Sequence, residues 1–251
     1  MIELFNVVLY QPLLNLLVFF YNVIPGHDVG LAIIAMTLLI RLLLYPSSVK
    51  SIKSQKAMKD LQPKLDELKK KYANQKEKIA SETMALYKSE KINPFSSCLP
   101  LLLQLPFLIA VYQVFRVGLT NGSLDKLYSF VYNPGTLNAM SFGIFDLSKP
   151  VIIFALLAGV AQFIQSKMLT STRPAKEIAT KEGAKDEDMS AIMNKQMLYM
   201  MPIITVVIGW TLPGGLTLYW FLSTLLMAGQ QWIIFKQADK EKELPKIEVV
   251  N

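Results

Sequence analysis

A single arginine inside an apolar segment is the feature of this sequence that most directly suggests chemistry. Arg41 is the first basic residue of the chain and lies within the apolar run Val29 to Tyr45. An arginine at the centre of a membrane helix costs about 2.5 to 3.5 kcal/mol, so such residues usually face a bundle interior or a water-filled cavity. Arg41 is therefore a candidate site residue. The alternative is that it lies close enough to Pro46 to extend its side chain to the lipid headgroups.

Uncharged polar side chains recur in the other apolar segments and could line a cavity with Arg41. Gln162 and Gln165 can share one helix face, whereas the adjacent Gln230 and Gln231 point about 100° apart. The alternative for each is an interhelical hydrogen bond that stabilises a bundle. We expect Gln104 and Gln165 in particular to face the cavity. The full set of candidates is Thr37, Gln104, Gln113, Gln162, Gln165, Ser223, Thr224, Gln230 and Gln231.

Residues for metal binding or covalent catalysis are scarce. The single Cys98 excludes an internal disulfide and a four-cysteine zinc site, and the single His27 argues against a histidine metal centre or proton relay. An intramembrane protease would need a nucleophile with a base, or paired aspartates, inside the apolar runs. The charged residue that lies well inside these runs is Arg41, which can serve neither role. The sequence therefore predicts a protein that is not an enzyme and holds no metal or cofactor.

The composition predicts an integral membrane protein. Of the 251 residues, 52% are hydrophobic, and the mean hydropathy is +0.35. The net charge of +7 comes from lysines between the apolar runs, which suits anionic headgroups or nucleic acid. We predict one membrane domain over residues 1–251, all-α and polytopic, with transmembrane helices at 29–46, 95–117, 150–166, 197–212 and 214–235.

The distribution of basic residues predicts the orientation. Residues 1–40 contain no lysine or arginine, whereas residues 47–94 carry 12 lysines against 6 acidic residues. Cytoplasmic segments carry the excess of basic residues, so 47–94 is predicted to be cytoplasmic. Five spans then place the N-terminus and the segment 118–149 outside, and the loop 167–196 and the tail 236–251 inside.

The segment 1–24 is apolar but lacks the basic region and cleavage site of a signal peptide. At about 100° per residue four of its polar residues fall within an arc of about 120°, with Asn6 about 60° further round, which leaves a broad apolar face. This pattern predicts an interfacial helix on the outer leaflet, bent at Pro12, with a transmembrane helix as the alternative. The four residues within the arc are Glu3, Gln11, Asn15 and Asn22.

Residues 47–94 are predicted to form an antiparallel helical hairpin. Apolar residues recur at alternating spacings of three and four, first through Met58, Leu61, Leu65, Leu68 and Tyr72, and then through Ile79, Thr83 and Leu86. A short polar turn at Ala73, Asn74 and Gln75 separates the two series. Each arm would contain about two dozen residues and would be roughly 35 Å long, with a kink at Pro63.

Several short motifs follow one another along nearly the whole chain. They are, in order, Gly30-Leu31-Ala32-Ile33-Ile34 through Thr37 to Arg41 and Pro46, Met58 to Lys64, Leu86-Tyr87-Lys88, Asn93-Pro94-Phe95, Cys98-Leu99-Pro100, Gln104-Leu105-Pro106, Met200-Met201-Pro202, Pro213 to Trp220, and Gln230-Gln231. Together they resemble the YidC/Oxa/Alb membrane protein insertases, and most closely the small bacterial members with five spans. Because the motifs cover nearly the whole chain, the resemblance does not depend on any one of them.

The resemblance implies five helices around a hydrophilic groove that is open to the cytoplasm and the lipid, with Arg41 projecting into it. It also implies that Tyr219 and Trp220 contact the client, for which the alternative is an aromatic belt at the membrane interface. The expected function is to guide nascent membrane proteins into the bilayer of the bacterial cytoplasmic membrane without nucleotide hydrolysis.

The resemblance assigns the cytosolic contacts to the hairpin 47–94 and the loop 167–196, with the ribosome, the secretion translocon and targeting factors as candidate partners. The tail 236–251 has equal numbers of lysines and acidic residues, so it lacks the long basic extension with which some relatives hold ribosomes. Two other classes remain as alternatives. A small anion transporter would also use a polar groove with one arginine, and a scaffold would use the hairpin alone.

Overall fold

The computed structural model describes residues 2–72, 75–93, 99–121, 124–170 and 185–243. The predicted helical class is confirmed over these ranges. The elements are α1 (Ile2–Phe5), a π-helical turn (Asn6–Tyr10), α2 (Gln11–Val23), α3 (Val29–Leu43), α4 (Tyr45–Lys71), α5 (Lys76–Ser89), α6 (Leu99–Phe115), a second π-helical turn (Arg116–Asn121), β1 (Met140–Ser141), β2 (Phe145–Asp146), α7 (Ile152–Leu169), α8 (Lys185–Gly209) and α9 (Gly214–Glu243).

Helix α7 packs closely against both α8 and α9, and small residues lie where it crosses α8. A Cβ atom added to Gly159 of α7 would lie 2.4 Å from the Val206 side chain of α8. At Gly209 it would lie 3.0 Å from the Cβ atom of Ala155. Helix α9 also contacts α3, and α3 contacts α2. The Arg41 helix is therefore held between the N-terminal helix and the C-terminal helix.

A bend separates the Arg41 helix from the hairpin. Helices α3 and α4 meet at Leu44 with an angle of 68° between them. Pro46 lies in the first turn of α4, where the absence of its N–H leaves no hydrogen bond unmade. The first helix of the hairpin therefore leaves the bundle at a steep angle directly after Arg41.

The helical hairpin differs from its prediction in the length of its second arm. Helix α4 has 27 residues and continues through Pro63, whereas α5 has 14 residues and ends at Ser89. Lys91 then adopts a positive φ of 54°, which ends the helical path. Leu61 and Leu65 of the predicted apolar series are buried, and Lys64 pairs with Glu90 across the two arms.

Two other boundaries also differ from the prediction. Helix α8 begins at Lys185, so residues 185–196 of the predicted loop are helical and continuous with the apolar helix that follows. Helix α9 continues to Glu243, because the Lys- and Glu-rich residues after the apolar part are good helix formers. Strands β1 and β2 form a small antiparallel hairpin that the all-α prediction omitted.

The membrane-spanning potential of the described helices is uneven. Glu3–Val23 and Ile152–Leu169 are long and apolar enough to cross a bilayer, and the bent pair α3 and α4 passes the same test when taken together. Gln104–Leu119 and Leu198–Gly209 are apolar but shorter. The count of five spans stays a prediction.

Residues 124–149, which we call the cap segment, cover one side of the N-terminal helix. Asn15 donates from Nδ2 to the Lys126 carbonyl at 3.1 Å, and its Oδ1 accepts from the Tyr128 amide at 2.6 Å. Asn22 donates to the Tyr132 carbonyl at 2.7 Å. Much of the polar arc predicted on this helix therefore binds the cap segment.

Candidate functional site

The site is built around the last turn of α3, where Arg41 lies. A cation at this end of a helix interacts favourably with the helix dipole, and the chain bends at Leu44, three residues later. The side chain extends between α6 and α9. Its Nη2 donates to Oε1 of Gln104 at 3.2 Å, and its Nη1 is 4.0 Å from the sulfur of Met227.

Gln104 continues this chain of hydrogen bonds. Its Nε2 donates to the hydroxyl oxygen of Tyr219 at 3.3 Å, so one amide joins the arginine of α3 to the tyrosine of α9. A side-chain amide can accept on one atom while it donates on the other. Gln104 therefore orients both neighbours, and within the described part of the chain the guanidinium has Gln104 and Met227 as its side-chain acceptors.

A cavity of about 30 Å³ opens beside the guanidinium, which is room for a small number of water molecules. None of the described residues around it is acidic. A cation in such a place attracts negative charge more strongly than it would in bulk water. The residues that line this Arg41 cavity are Ile40, Arg41, Leu44, Ser47, Ser48, Ser51, Gln104, Phe107, Tyr219 and Met227.

The other polar candidates on α3 and α9 lie away from the cavity wall. Thr37 is fully buried and donates from its hydroxyl to the Ile33 carbonyl at 2.6 Å within its own helix. Ser223 and Thr224 are buried, and Trp220 is half-buried. Gln230 reaches the cavity indirectly, because it accepts a hydrogen bond at 3.3 Å from Ser48, which lines the wall.

Three glutamines of the predicted set lie outside the cavity wall. Gln113 on α6 and both Gln162 and Gln165 on α7 are half-buried. Of the two glutamines expected to face the cavity, the structure brings Gln104 to Arg41 and does not bring Gln165 there. The role of each in client binding stays a prediction.

The comparisons with known proteins agree with this architecture. The sequence model of the family described as 60Kd inner membrane protein matches residues 19–242, which is most of the chain. The chain belongs to this family. The resemblance to the insertases is thereby confirmed.

The curated relatives in this family include proteins named membrane protein insertase YidC. The one from Fusobacterium nucleatum is 33% identical over 91% of this chain and 98% of its own length. The one from Oceanobacillus iheyensis is 35% identical and covers 82% of this chain and 74% of its own length. For the one from Lawsonia intracellularis, 34% identical, the match covers 92% of this chain but 39% of the relative.

A solved structure of the family shares the fold. It is described as an active YidC insertase crystal structure with the first transmembrane domain resolved. The two chains superpose with a TM-score of 0.55 at 24% identity, and the match covers 90% of this chain and 45% of the other. At this level of identity the likeness is evidence for the fold alone.

In this family member, several cavity residues were absent from the predicted set. Ser47, Ser48 and Ser51 come from the first turns of α4, and the bend after Arg41 brings them to the cavity. The signal in the sequence was the set of small hydroxyl residues directly after Pro46, at spacings that share one helix face. Nothing in the sequence distinguishes Phe107 and Met227 as cavity residues, because both lie within apolar stretches of the chain.

A polar interface between α4 and α9 leads away from the cavity toward the hairpin. Gln231, which is fully buried, donates to Gln55 at 3.1 Å. Lys56, the next residue of α4 after Gln55, pairs with Asp60 at 2.9 Å and with Asp239 at 2.6 Å. Burial opposes the charged form of Lys56, but the two carboxylates outweigh it and raise its pKa. The start of the hairpin is thus attached to the end of α9 by polar contacts.

Proposed function

We propose that this chain is a membrane protein insertase that guides nascent membrane proteins from the cytoplasm into the bilayer. The observation that carries the proposal is the position of Arg41 beside a cavity whose described lining contains no acidic residue. The family assignment supports it, since relatives that the match covers to 98% and 74% of their own length carry the name of membrane protein insertase.

The first step is the capture of the client's hydrophilic tail. The Arg41 guanidinium is hydrogen-bonded to the neutral Gln104, so its charge is available to a carboxylate on the incoming chain. The interaction of two unit charges strengthens as the surrounding dielectric constant falls. The hydroxyls of Ser47 and Ser51 can replace part of the water that the tail loses on entering.

The second step moves the client's apolar segment into lipid along the outside of the bundle. Exposed apolar side chains on α7 and α8 provide a matching surface, among them Val160, Ile164, Ile203 and Val207. Burial of about 20 apolar residues supplies the free energy, at about 25 cal/mol per Å². We infer that the protein uses neither nucleotide nor cofactor and catalyses no covalent reaction.

We infer the predicted orientation, with the N-terminus outside, the hairpin and the C-terminus in the cytoplasm, and five spans in the bacterial cytoplasmic membrane. The N-terminal helix is proposed to lie in the outer interface. Its contacts with the cap segment extend from Gln11 to Asn22. These residues cover about 16 Å along the helix at 1.5 Å per residue, and a segment of irregular backbone cannot follow a spanning helix that far through lipid.

We propose that the hairpin and the loop 167–196 contact cytosolic partners. The last turn of α4 carries Lys69, Lys70 and Lys71 at the end of the hairpin remote from the bundle. Such a lysine cluster attracts ribosomal RNA or an acidic targeting factor through long-range electrostatics that salt weakens. The secretion translocon is the further candidate partner.

The deciding experiment measures insertion of a small client with an acidic translocated tail into proteoliposomes, read by protease protection. The native chain and Arg41→Lys should insert the client, whereas Arg41→Ala should lose most of the activity. Arg116→Ala is the matched control, because Arg116 is exposed at the far end of α6. Equal insertion by all variants would reduce Arg41 to a headgroup anchor. If the native chain inserts nothing, the anion transporter or the scaffold becomes the better reading.

A further inference from the structure

The tight turn between β1 and β2 exposes apolar side chains in a stretch without charge. Residues Met140 to Phe145 read Met-Ser-Phe-Gly-Ile-Phe. Ile144 is 74% exposed, and Phe142 is half-exposed. Such a turn in contact with water alone would ordinarily carry polar residues. The exposed apolar residues indicate a surface that something covers.

Hydrogen bonds hold this turn at the ends of three helices. Asp28 is the N-cap residue of α3, and its carboxylate accepts from the Ser141 hydroxyl at 2.5 Å and from the Phe142 amide at 2.6 Å. After β2, the Leu147 and Lys149 carbonyls accept from the first two amides of α9 at 3.0 and 2.8 Å. Helix α7 begins a few residues later, at Ile152.

These contacts fix the level of the turn relative to the bilayer. The apolar helices α3, α7 and α9 all begin beside it, and the ends of membrane helices lie at the boundary between hydrocarbon and headgroups. The Phe142 ring lies close to Gly30 in the first turn of α3, where a Cβ atom would be 3.1 Å from it. Phe142 and Ile144 are therefore at interface depth rather than far out in water.

The backbone of the turn supports a function for the aromatic ring. Phe142 and Gly143 both have positive φ, 53° and 68°, and the Ile144 amide donates to the Ser141 carbonyl at 3.1 Å. Turns with two positive φ angles strongly favour Asn, Asp or Gly at the first central position. A phenylalanine there is strained, so local backbone preference does not explain its presence.

A second exposed pair lies further along the cap segment. Phe130 is 80% exposed and Tyr132 is 77% exposed. The Tyr132 carbonyl accepts from Asn22 in the last turn of α2, which brings this pair close to the exposed Val23. Aromatic side chains that are apolar at one end and accessible to water at the other concentrate at membrane interfaces.

We propose that the cap segment is a membrane-interface anchor, in which Phe142 and Ile144, together with Phe130 and Tyr132, insert into the headgroup and acyl boundary of the outer leaflet. The occupant of this surface is lipid, because the patch is apolar, uncharged at the turn, and level with the helix ends. The anchor would hold the N-terminus of the Arg41 helix at a fixed depth through Asp28.

Nitroxide labels test the proposal independently of insertion activity. Ile144→Cys and Tyr132→Cys are made singly in a Cys98→Ser background and reconstituted in vesicles of phosphatidylethanolamine and phosphatidylglycerol. Two exposed positions serve as references for the collision ratio: Val160→Cys on α7 for the acyl region, and Lys88→Cys on α5 for water. Collision rates with oxygen and with a water-soluble nickel complex are then compared.

We expect the ratio of oxygen to nickel collisions at both cap positions to be several-fold above that at Lys88 and below that at Val160. A ratio equal to that at Lys88 would overturn the proposal, because the residues would then face water. Shielding from both reagents would assign the surface to a protein partner. Spin–spin broadening that disappears on dilution with unlabelled protein would assign it to a second copy. Each labelled variant replaces an exposed side chain, and the two positions give independent readings.

Discussion

Lys59 of the hairpin donates a hydrogen bond from Nζ to the backbone carbonyl of Met168, at 2.7 Å, in the last turn of α7. The last carbonyls of a helix have no partner inside the helix, so the lysine satisfies one of them from outside. Lys59 and Lys56 also lie over the Phe235 ring of α9, at 5.8 and 5.6 Å from its centroid. The base of the hairpin thus contacts two bundle helices at once.

Replacing Lys59 with methionine should loosen this attachment. The variant keeps most of the apolar stem but removes the donor, so we expect a stability loss of about 1 kcal/mol and faster amide exchange in the last turn of α7. Thermal unfolding in detergent and hydrogen exchange measure the two effects. Lys53→Met changes an exposed lysine of the same helix and should alter neither. An equal effect in both variants would contradict a specific role for Lys59.

Gln104→Glu should abolish insertion of clients with acidic tails more completely than Gln104→Ala. A carboxylate at this position would pair with the guanidinium that now lies 3.2 Å from the amide oxygen, and it would occupy the charge that a client needs. Protease protection with acidic and neutral client tails measures the effect. The neutral tail should be affected less.

Gln113→Glu serves as the control for this substitution. Gln113 lies on the same helix but does not line the Arg41 cavity, and the change adds the same charge. Similar loss of insertion in both glutamate variants would mean that a buried negative charge on α6, rather than neutralisation of Arg41, is responsible.

Gly30→Ala should destabilise the junction between α3 and the cap segment. The added Cβ would lie 2.0 Å from the Ser141 hydroxyl oxygen, so the turn must move and its bond to Asp28 must lengthen. Overpacking of this kind costs about 1 to 3 kcal/mol. Gly229→Ala in α9 should be neutral or stabilising by up to about 1 kcal/mol, because no described atom beyond the local helix backbone lies within 4 Å of the new methyl group. Thermal unfolding of the two variants provides the comparison.

Acidification should open the same junction. Burial opposes the charge of Asp28, but hydrogen bonds from Ser141 and from the amides of Phe142, Leu31 and Gly30 hold its pKa below the ordinary value of 3.8. A carboxylate with a lowered folded-state pKa contributes stability that is present above the ordinary value and is lost as the pH falls through the folded-state value.

Unfolding temperatures measured from about pH 6 to about pH 3 should therefore fall more in the native protein than in Asp28→Asn. The asparagine variant should be less stable at neutral pH by about 1 kcal/mol, because its amide cannot accept all of the same bonds. Parallel pH profiles for the two proteins would show that other carboxylates dominate the acid response. Glu3→Gln, at an exposed position, should leave the profile unchanged.

The sequence was sufficient to predict the helical class and the family. The role of Arg41 and of the polar residues around it stays a prediction. An arginine in an apolar run needs polar neighbours, and Gln104 was among the few residues able to provide them. The structure adds cavity residues that the local sequence pattern could not predict. Ser47 and Ser51 reach the cavity because of the 68° bend at Leu44, and the size of a bend depends on packing rather than on the proline alone.

The errors in element boundaries have a common cause. Hydropathy marks where a helix leaves the apolar region, whereas the helix itself ends where its pattern of backbone hydrogen bonds ends. Residues 185–196 and 236–243 are polar but include good helix formers, so α8 and α9 extend well past their apolar parts. The short strands β1 and β2 depend on distant contacts with Asp28 and α9, which no local window contains.

The length of α9 has a mechanical consequence. Its 30 residues form a continuous helix of about 45 Å at 1.5 Å per residue, longer than the hydrocarbon core of about 30 Å. One end is fastened to the cap segment through the amide of Gly214, and the other is fastened to the hairpin through Asp239. In the proposed orientation, in which α9 crosses the bilayer, a force applied to the hairpin in the cytoplasm would be transmitted along this helix to the cap segment on the outer side.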